Sequence, residues 1–249
     1  MGECPRDFDE RHFAKGWNEV DKFFGRFGQR PELAGRRVLD VGCGRGNMVF
    51  HAARAGALAT GIDPDRARIV FATEKLQAEA PEVRDRVSLH ACGVEELPAD
   101  ALFDVVFSKD AFEHIRDVPA VLGQIREHLA PGGRAFLGFG PLYRSPFGDH
   151  GWAQAMVPWG HLFLPEKFLL NRIQKRTGEK LGSLTELELN QWSLGQFREA
   201  FRASGLQVES LALNRGEHWV YKLSRPLAGL PGVGELFAFN VYCILRKQS

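Results

Sequence analysis

An alternation runs through the middle of the chain and restricts its fold more than any other feature. Short apolar, β-rich runs occur at Arg37–Val41, LATGID (58–63), VSLHA (87–91), DVVFS (104–108) and RAFLGF (134–139). Between them lie segments of helical periodicity, from Asn47 to about Ala55, from Pro64 to about Glu79 and around Val118–Leu129. Strands that are apolar throughout must be covered on both faces, and strands joined through helices run parallel. The expectation is an α/β, doubly wound, mostly parallel sheet. Right-handed crossovers then bring every loop that follows a strand to one edge, where ligands of such sheets bind.

The flanks of this alternation differ from it. Over residues 10–28, Phe13, Trp17, Val20, Phe24 and Phe27 recur at spacings of four, three, four and three, which predicts an amphipathic leader helix. Between Gly140 and Trp192 the alternation stops, and Tyr143, Phe147, Trp152, Trp159, Phe163 and Phe168 occur among prolines, as in an insertion. Ser193 with Gln196 three residues later predicts a capping box and a helix to about Ala203, stopped by Gly205. The parallel pattern is expected to resume with LQVESLAL (206–213). After a Pro/Gly-rich connection at 226–234, FAFNVYCIL (237–245) reads as a final antiparallel strand, bringing the count to seven.

The run VLDVGCGRGNM places Gly42, Gly44 and Gly46 between the first strand and its helix. Glycines there permit positive φ and let a ligand approach where a Cβ would collide. Twenty-three residues after Asp40 the second strand ends in Asp63, placed to accept hydrogen bonds from ribose hydroxyls, with Pro64 fixing the backbone beyond it. A dinucleotide turn has its third glycine five positions after the first and faces a pyrophosphate with the helix amino terminus. Here the third glycine comes at four and Asn47 fills the fifth position, which suits a ligand with adenosine but no pyrophosphate.

These runs resemble, in order and spacing, the motifs of the class I S-adenosylmethionine-dependent methyltransferases. VLDVGCGRGNM resembles their first motif, GIDPD their second, FDVVFSKDAFEHI their fourth, and LAPGGRAFLGF their fifth strand with its preceding turn. The resemblance covers roughly residues 36–140. It implies the Rossmann-like methyltransferase fold, S-adenosylmethionine as cofactor, and cofactor contacts at Asp40, Gly42, Cys43, Gly44, Gly46, Asp63, Pro64, Gly93, Val94, Ser108 and Lys109. It also implies a cap helix over residues 1–35 and a methyltransferase domain over 36–249; the insertion at 141–192 leaves the carboxyl end of the fifth strand, so it is expected to form the acceptor pocket's lid, with its six aromatics as a water-excluding wall. One departure stands out: where many relatives carry an acid for the adenine amino group, the stretch CGVEELP has Gly93. Backbone amides near Gly93 and Val94, Glu95, or packing must then hold adenine.

Methyl transfer from a sulfonium is an in-line displacement with a good leaving group, so the enzyme has chiefly to align the nucleophile and remove its proton. Candidates for that work are His114, His150 and His161, each also readable as a structural histidine that hydrogen-bonds loop backbone. Asp110, Glu113 and His114 resemble the metal-binding pattern of small-RNA terminal 2′-O-methyltransferases and some ubiquinone-pathway O-methyltransferases. The alternative for Glu113 and His114 is that they cap and orient the next helix. The leader helix has two readings as well, packing on the sheet and closing over the cofactor.

Thirty-two basic against 31 acidic side chains leave a formal charge of +1, which provides no field to hold a polyanion. The expected acceptor is therefore a small or medium-sized, partly apolar metabolite with an O or N nucleophile. A metal-dependent methyltransferase of an RNA terminus and a non-catalytic cofactor-binding protein are the alternatives. Cys4, Cys43, Cys92 and Cys243 form no C-x-x-C pair, which fits a reducing, cytoplasmic setting rather than a zinc ribbon or a disulfide framework. The acidic amino terminus does not resemble a signal peptide, Arg6 argues against myristoylation at Met1-Gly2, and no apolar run approaches a membrane span.

Overall fold

The computed structural model describes residues 5–152, 157–187, 189–216 and 218–249. Met1-Gly2 and Cys4 lie outside them. The chain forms α1 (Pro5–Gly25), β1 (Arg37–Val41), α2 (Asn47–Arg54), β2 (Leu58–Ile62), α3 (Arg66–Glu79), β3 (Val87–His90), β4 (Phe103–Lys109), α4 (Val118–His128) and β5 (Leu129–Phe139). There follow α5 (Gly160–Phe163), α6 (Glu166–Thr177), α7 (Leu194–Ala203), β6 (Gln207–Leu213), α8 (Trp219–Ala228) and β7 (Val241–Arg246).

The seven strands make one sheet in the order β3-β2-β1-β4-β5-β7-β6. β1 pairs in parallel with both β2 and β4, in the registers Asp40↔Gly61 and Asp40↔Phe107. The chain lays down β1, β2 and β3 in one direction and then returns to place β4 on the other side of β1. The crevice of a doubly wound sheet opens at such a reversal, beyond the carboxyl ends of the two middle strands. β7 inserts antiparallel between β5 and β6 as the expected final strand, although it begins at Val241, because Phe237–Asn240 form a 3₁₀ turn and its exit. β6 resumes the direction of the parallel strands as expected, since it and β5 both run antiparallel to the β7 between them, and it occupies the sheet edge with β7 as its neighbour.

One face of the sheet is covered by α1, α2 and α3, whose apolar side chains join Val38, Val105, Phe107 and Phe136 in one core; α4 and α7 cover the other, around Leu39, Val106, Leu137 and Cys243. Local chemistry starts these helices where the sequence predicts. Asp65 caps α3 by accepting from Ala67 N at 2.9 Å. Ser193 and Gln196 form the reciprocal capping box of α7.

The leader helix is described from Pro5, five residues before the predicted segment 10–28, to Gly25, and Asp7 complements the helix dipole in its first turn. Its stripe lies in the core: Phe13, Val20, Phe23 and Phe24 are each at most 2% exposed. Phe24 meets the ring of Phe107 on β4 edge-on at 5.0 Å. α8 is absent from the expected elements. The Pro/Gly-rich connection at 226–234 contains its last turn, and Pro226 sits close enough to the end that the chain leaves the helix soon after.

Because Phe24 anchors α1 to the central strands, Phe24→Ala should destabilise the protein by about 3–5 kcal/mol, the usual cost of a large apolar truncation in a core that cannot collapse around it. Chemical denaturation followed by circular dichroism measures this, and a loss under about 1 kcal/mol would show that α1 is an appendage rather than part of the core.

Candidate active site

The turn after β1 is fixed by the end of β2. Gly42 N and Cys43 N both donate to Ile62 O at 2.9 Å, and Gly44 N donates to Asp63 Oδ2 at 2.9 Å. Asp63 Oδ1 accepts from Asp65 N at 2.9 Å, so two backbone amides orient a carboxylate that is 4% exposed. Each oxygen retains acceptor capacity beyond these bonds. Gly42 and Gly44 take φ of 76° and 53°, and a Cβ on Gly44 would meet nothing within 4 Å, since it would point into open space.

That space is the crevice at the strand reversal. Its main part is a cavity of about 690 Å³ whose walls include Gly42, Asp63, Pro64, Gly93, Val94, Asp110 and His114. A second part, of about 350 Å³, is bounded by Asp40, Cys43, Gly44 and Lys109. The structure thus brings together nearly all the residues predicted from the glycine turn and its neighbours. Ser108 and Gly46 do not reach the cavity: the Ser108 hydroxyl donates to Val41 O at 2.9 Å, pinning β4 to β1, and Gly46 packs against the Phe50 ring.

Asp40 tests whether the crevice fits S-adenosylmethionine. Its carboxyl is 1% exposed and neither oxygen has a hydrogen-bond partner among the described residues. Burial, reinforced by the nearby Asp63 and opposed by Lys109, pushes its pKa up to about 7. A buried acid without a partner is costly unless something completes it. The methionyl ammonium of the cofactor is a cation of the right kind to do so, and the residues present fit the cofactor on that ground.

At Gly93 the predicted departure has a structural counterpart. A Cβ there would collide with the carboxylate of Glu95, which occupies the space an acid at position 93 would take, while Glu96 Oε1 accepts from Gly93 N at 3.0 Å. Several cavity residues escape sequence reasoning. Phe8 and His12 reach the wall from the first turns of α1, on the side away from the apolar stripe, and Arg45 reaches it from within the glycine turn. Arg45 Nε donates to Asp9 Oδ1 at 2.7 Å and its guanidinium lies over the Phe8 ring. A polar residue one helical turn after an aromatic, Phe8 to His12, is the one signal the sequence offered.

On the acceptor side the candidates separate. His114 lines the cavity, and the His150 ring packs edge-on against it at 5.6 Å. His150 Nε2 hydrogen-bonds Pro141 O at 2.9 Å, and burial lowers its pKa, so the ring is neutral at pH 7 with Nε2–H donating. His161 does not join them; it is buried against Tyr143, with Nε2 on Tyr143 O at 2.6 Å. The three metal candidates are not gathered into one cluster. Glu113 turns inward, with Oε1 accepting from Gly140 N at 3.1 Å, Asp110 pairs with Lys109, and the described residues contain no group of three or more such side chains arranged to hold an ion. Burial next to Asp110 raises the Glu113 pKa to about 8, which keeps the acid protonated.

The six aromatics of the insertion do not wall the large cavity. Trp152 joins a small separate core around Leu169, Ile173 and Leu187, Trp159 Nε1 donates to Leu236 O, Phe163 and Phe168 are exposed, and Phe147 borders a smaller cavity beside α8. Asn190, at the end of the insertion, ties it to the loop after β4, its amide donating to Phe112 O and Ile115 O at 2.7 and 2.8 Å.

A family model described as a methyltransferase domain matches residues 10–211. The chain belongs to the class I S-adenosylmethionine-dependent methyltransferases. It is 30% identical over 185 residues to a ubiquinone biosynthesis O-methyltransferase of Pseudomonas syringae pv. tomato, covering 74% of this chain and 69% of that protein. A tRNA U34 carboxymethyltransferase of Klebsiella pneumoniae is 40% identical over 109 residues, 43% of this chain and 31% of the relative. Among solved structures, one described as a putative S-adenosylmethionine-dependent methyltransferase from Listeria monocytogenes superposes with a TM-score of 0.60 at 19% identity, covering 95% of this chain and 99% of that one. Methyl transfer from S-adenosylmethionine is accordingly the activity of this chain.

Two outcomes follow from this geometry. Gly44→Val should fold yet lose S-adenosylmethionine binding in calorimetry, since a branched residue at φ 53° is strained and its side chain enters the crevice; retained affinity in a folded variant would contradict the placement. The Glu113 acid, protonated when folded and ionised when unfolded between about pH 4.5 and 8, makes the parent less stable as pH rises through that window. Because the lowered histidines His12, His51 and His150 act in the opposite sense below about pH 6.5, the parent is best compared with Glu113→Gln. The difference in unfolding free energy should shift toward the variant by up to about 1.4 kcal/mol per pH unit between pH 5 and 7.5, and a pH-independent difference would show that Glu113 is ionised in the folded protein.

Proposed function

We propose that the chain methylates an O or N nucleophile of a small, partly apolar metabolite that enters between the loop after β4 and the insertion at 141–192. The observation that carries this reading is the His114–His150 pair, one ring in the cavity wall and the other packed behind it on Pro141 O. S-adenosylmethionine supplies, when bound, a methyl group on a sulfonium that leaves as a neutral thioether. Asp63 would accept from the ribose hydroxyls, Asp40 from the methionyl ammonium, and the backbone at Gly93 and Val94 would border adenine. His114 would take the acceptor's proton at a ring nitrogen, with His150 fixing its orientation. The first turns of α1, through Phe8 and His12, would close the crevice against water.

A small acceptor is supported by the near-even charge, which offers no field for a polyanion, and by a ubiquinone-pathway relative covering most of both chains. The tRNA-directed relative covers less than half of this chain. No helix among the described residues is long and apolar enough to cross a membrane.

The test is to incubate purified protein with methyl-labelled S-adenosylmethionine and fractionated extract. Label is expected in material extractable into organic solvent; label in RNA would overturn the small-acceptor reading. With the acceptor in hand, His114→Ala should lower turnover by about 10²–10⁴ and His150→Ala by less, both with nearly unchanged cofactor affinity. His161→Ala should lower stability without that specific loss of turnover. Parental turnover in His114→Ala would remove the proposed base.

A further inference from the structure

α8 is amphipathic in the wrong direction for a helix of a water-soluble surface. Its small or polar positions, Ser224 and Ala228, face the protein and are at most 6% exposed, whereas Trp219 and Leu223 are each 65% exposed. Trp219, Leu223 and Leu227, four residues apart, lie along one outward stripe. The chain continues the same apolar surface through Leu230, Val233 and Leu236, all at least 36% exposed. Gly234 N donates to Leu230 O at 2.9 Å, folding this continuation back against the end of the helix. Exposed apolar residues scattered singly carry no message, but six on one contiguous segment form a patch that soluble surfaces seldom leave open.

The charge beside the stripe selects what covers it. α8 contains Lys222 and Arg225 and no acid, and Lys222 is exposed with no ion-pair partner among the described residues. The Arg225 guanidinium holds Asn214 O at 3.1 Å, at the flank of the same helix, and Arg215 is exposed just before it. The acid nearest in sequence among the described residues, Glu235, is neutralised by Arg144 at 3.0 Å. A second copy of the chain would bring its own Lys222 and Arg225 against these, like against like, around an apolar centre. An anionic lipid surface meets both features at once: the apolar stripe enters the headgroup and acyl boundary, the Trp219 ring sits at the interface, and the lysine stem reaches back to lipid phosphates.

We propose that α8 and the turn after it form an interfacial docking face that seats the protein on an anionic phospholipid bilayer, with α8 lying parallel to the membrane plane. The first turn of α8 also borders the smaller cavity, where His218, Val220 and Tyr221 face Phe147 and Phe239. Docking therefore brings α8, which forms one wall of that cavity, onto the lipid. Delivery of an apolar acceptor from the bilayer rests on the function proposed above; the docking itself does not.

Flotation of the purified full chain with vesicles tests the docking without any acceptor. The protein should float with vesicles of phosphatidylcholine containing about one third phosphatidylglycerol, float less with phosphatidylcholine alone, and lose part of its binding as salt rises. The double variant Trp219→Ser, Leu223→Ser should lose tenfold or more in partitioning, and Lys222→Glu should weaken binding to the anionic vesicles only. Unchanged S-adenosylmethionine binding in calorimetry certifies that each variant is folded. Absence of flotation with anionic vesicles, or flotation indifferent to the double variant, would overturn the proposal. So would a dimer seen in sedimentation equilibrium that the double variant abolishes, because a second copy would then own the face.

Discussion

The structure depends on the seam where the turn after β1 is sewn to the end of β2. Three amides of that turn, those of Gly42, Cys43 and Gly44, find acceptors on Ile62 and Asp63, and Asp63 is itself oriented by Asp65. A turn that must bend sharply and keep a ligand-sized space above it leaves its amides without helix partners, so they need acceptors from elsewhere. Supplying them from the neighbouring strand makes the position of the Asp63 carboxylate a consequence of the same hydrogen bonds that shape the turn. The topology contributes the rest: β4 lies on the far side of β1, so its following loop, with Asp110 and His114, faces the same crevice.

α1 joins folding to function through its two sides. One side carries the aromatic stripe that completes the core over α2 and β4, and the other brings Phe8 and His12 to the crevice. Of the two readings of the leader segment, packing on the sheet is seen in the aromatic stripe, and Phe8 and His12 on the other side stand where closing over a cofactor would require them. The Asp9–Arg45 pair and the donation of Asn47 Nδ2 to Phe13 O at 3.0 Å bind it to the turn and to α2.

The sheet and the cofactor crevice were legible because their signals are local. An apolar strand, a capping residue or a glycine at positive φ depends on a few neighbours in sequence, and Asp40, Gly44 and Asp63 follow from their place at strand ends. What failed depended on contacts distant in sequence. Glu113 reads as a metal ligand by spacing, yet the Gly140 amide, 27 residues away, turns it inward. The aromatics of 141–192 read as a wall for the crevice, but the half-buried ones pack elsewhere, Tyr143 on His161, Trp159 on Phe237 before β7 and Trp152 in a separate small core. β6 does run in the direction of the parallel strands, as its pattern predicts, but its place at the edge follows from the insertion of β7 between it and β5. α8 was hidden because its exposed face is apolar, which removes the contrast by which a surface helix is recognised.

Among the described residues that leave a polar atom or an apolar side unsatisfied, three cases are instructive: Asp40 is buried without a hydrogen-bond partner, Glu113 has one buried oxygen without one, and α8 turns its apolar side outward. Such violations are costly to the isolated protein, and in a chain otherwise consistent across its levels they concentrate where something else is to be bound. Asp40 borders the part of the crevice suited to a cation. Glu113 has no such vacancy in front of it; its protonated carboxyl holds the Gly140 amide, so it fixes the junction between β5 and the insertion and thereby the wall behind His114. The α8 stripe is too extended to be completed by any small ligand and calls for a surface. The same test, asking what would satisfy a group that the fold leaves unsatisfied, separates a ligand contact, a structural clamp and an interface within one molecule.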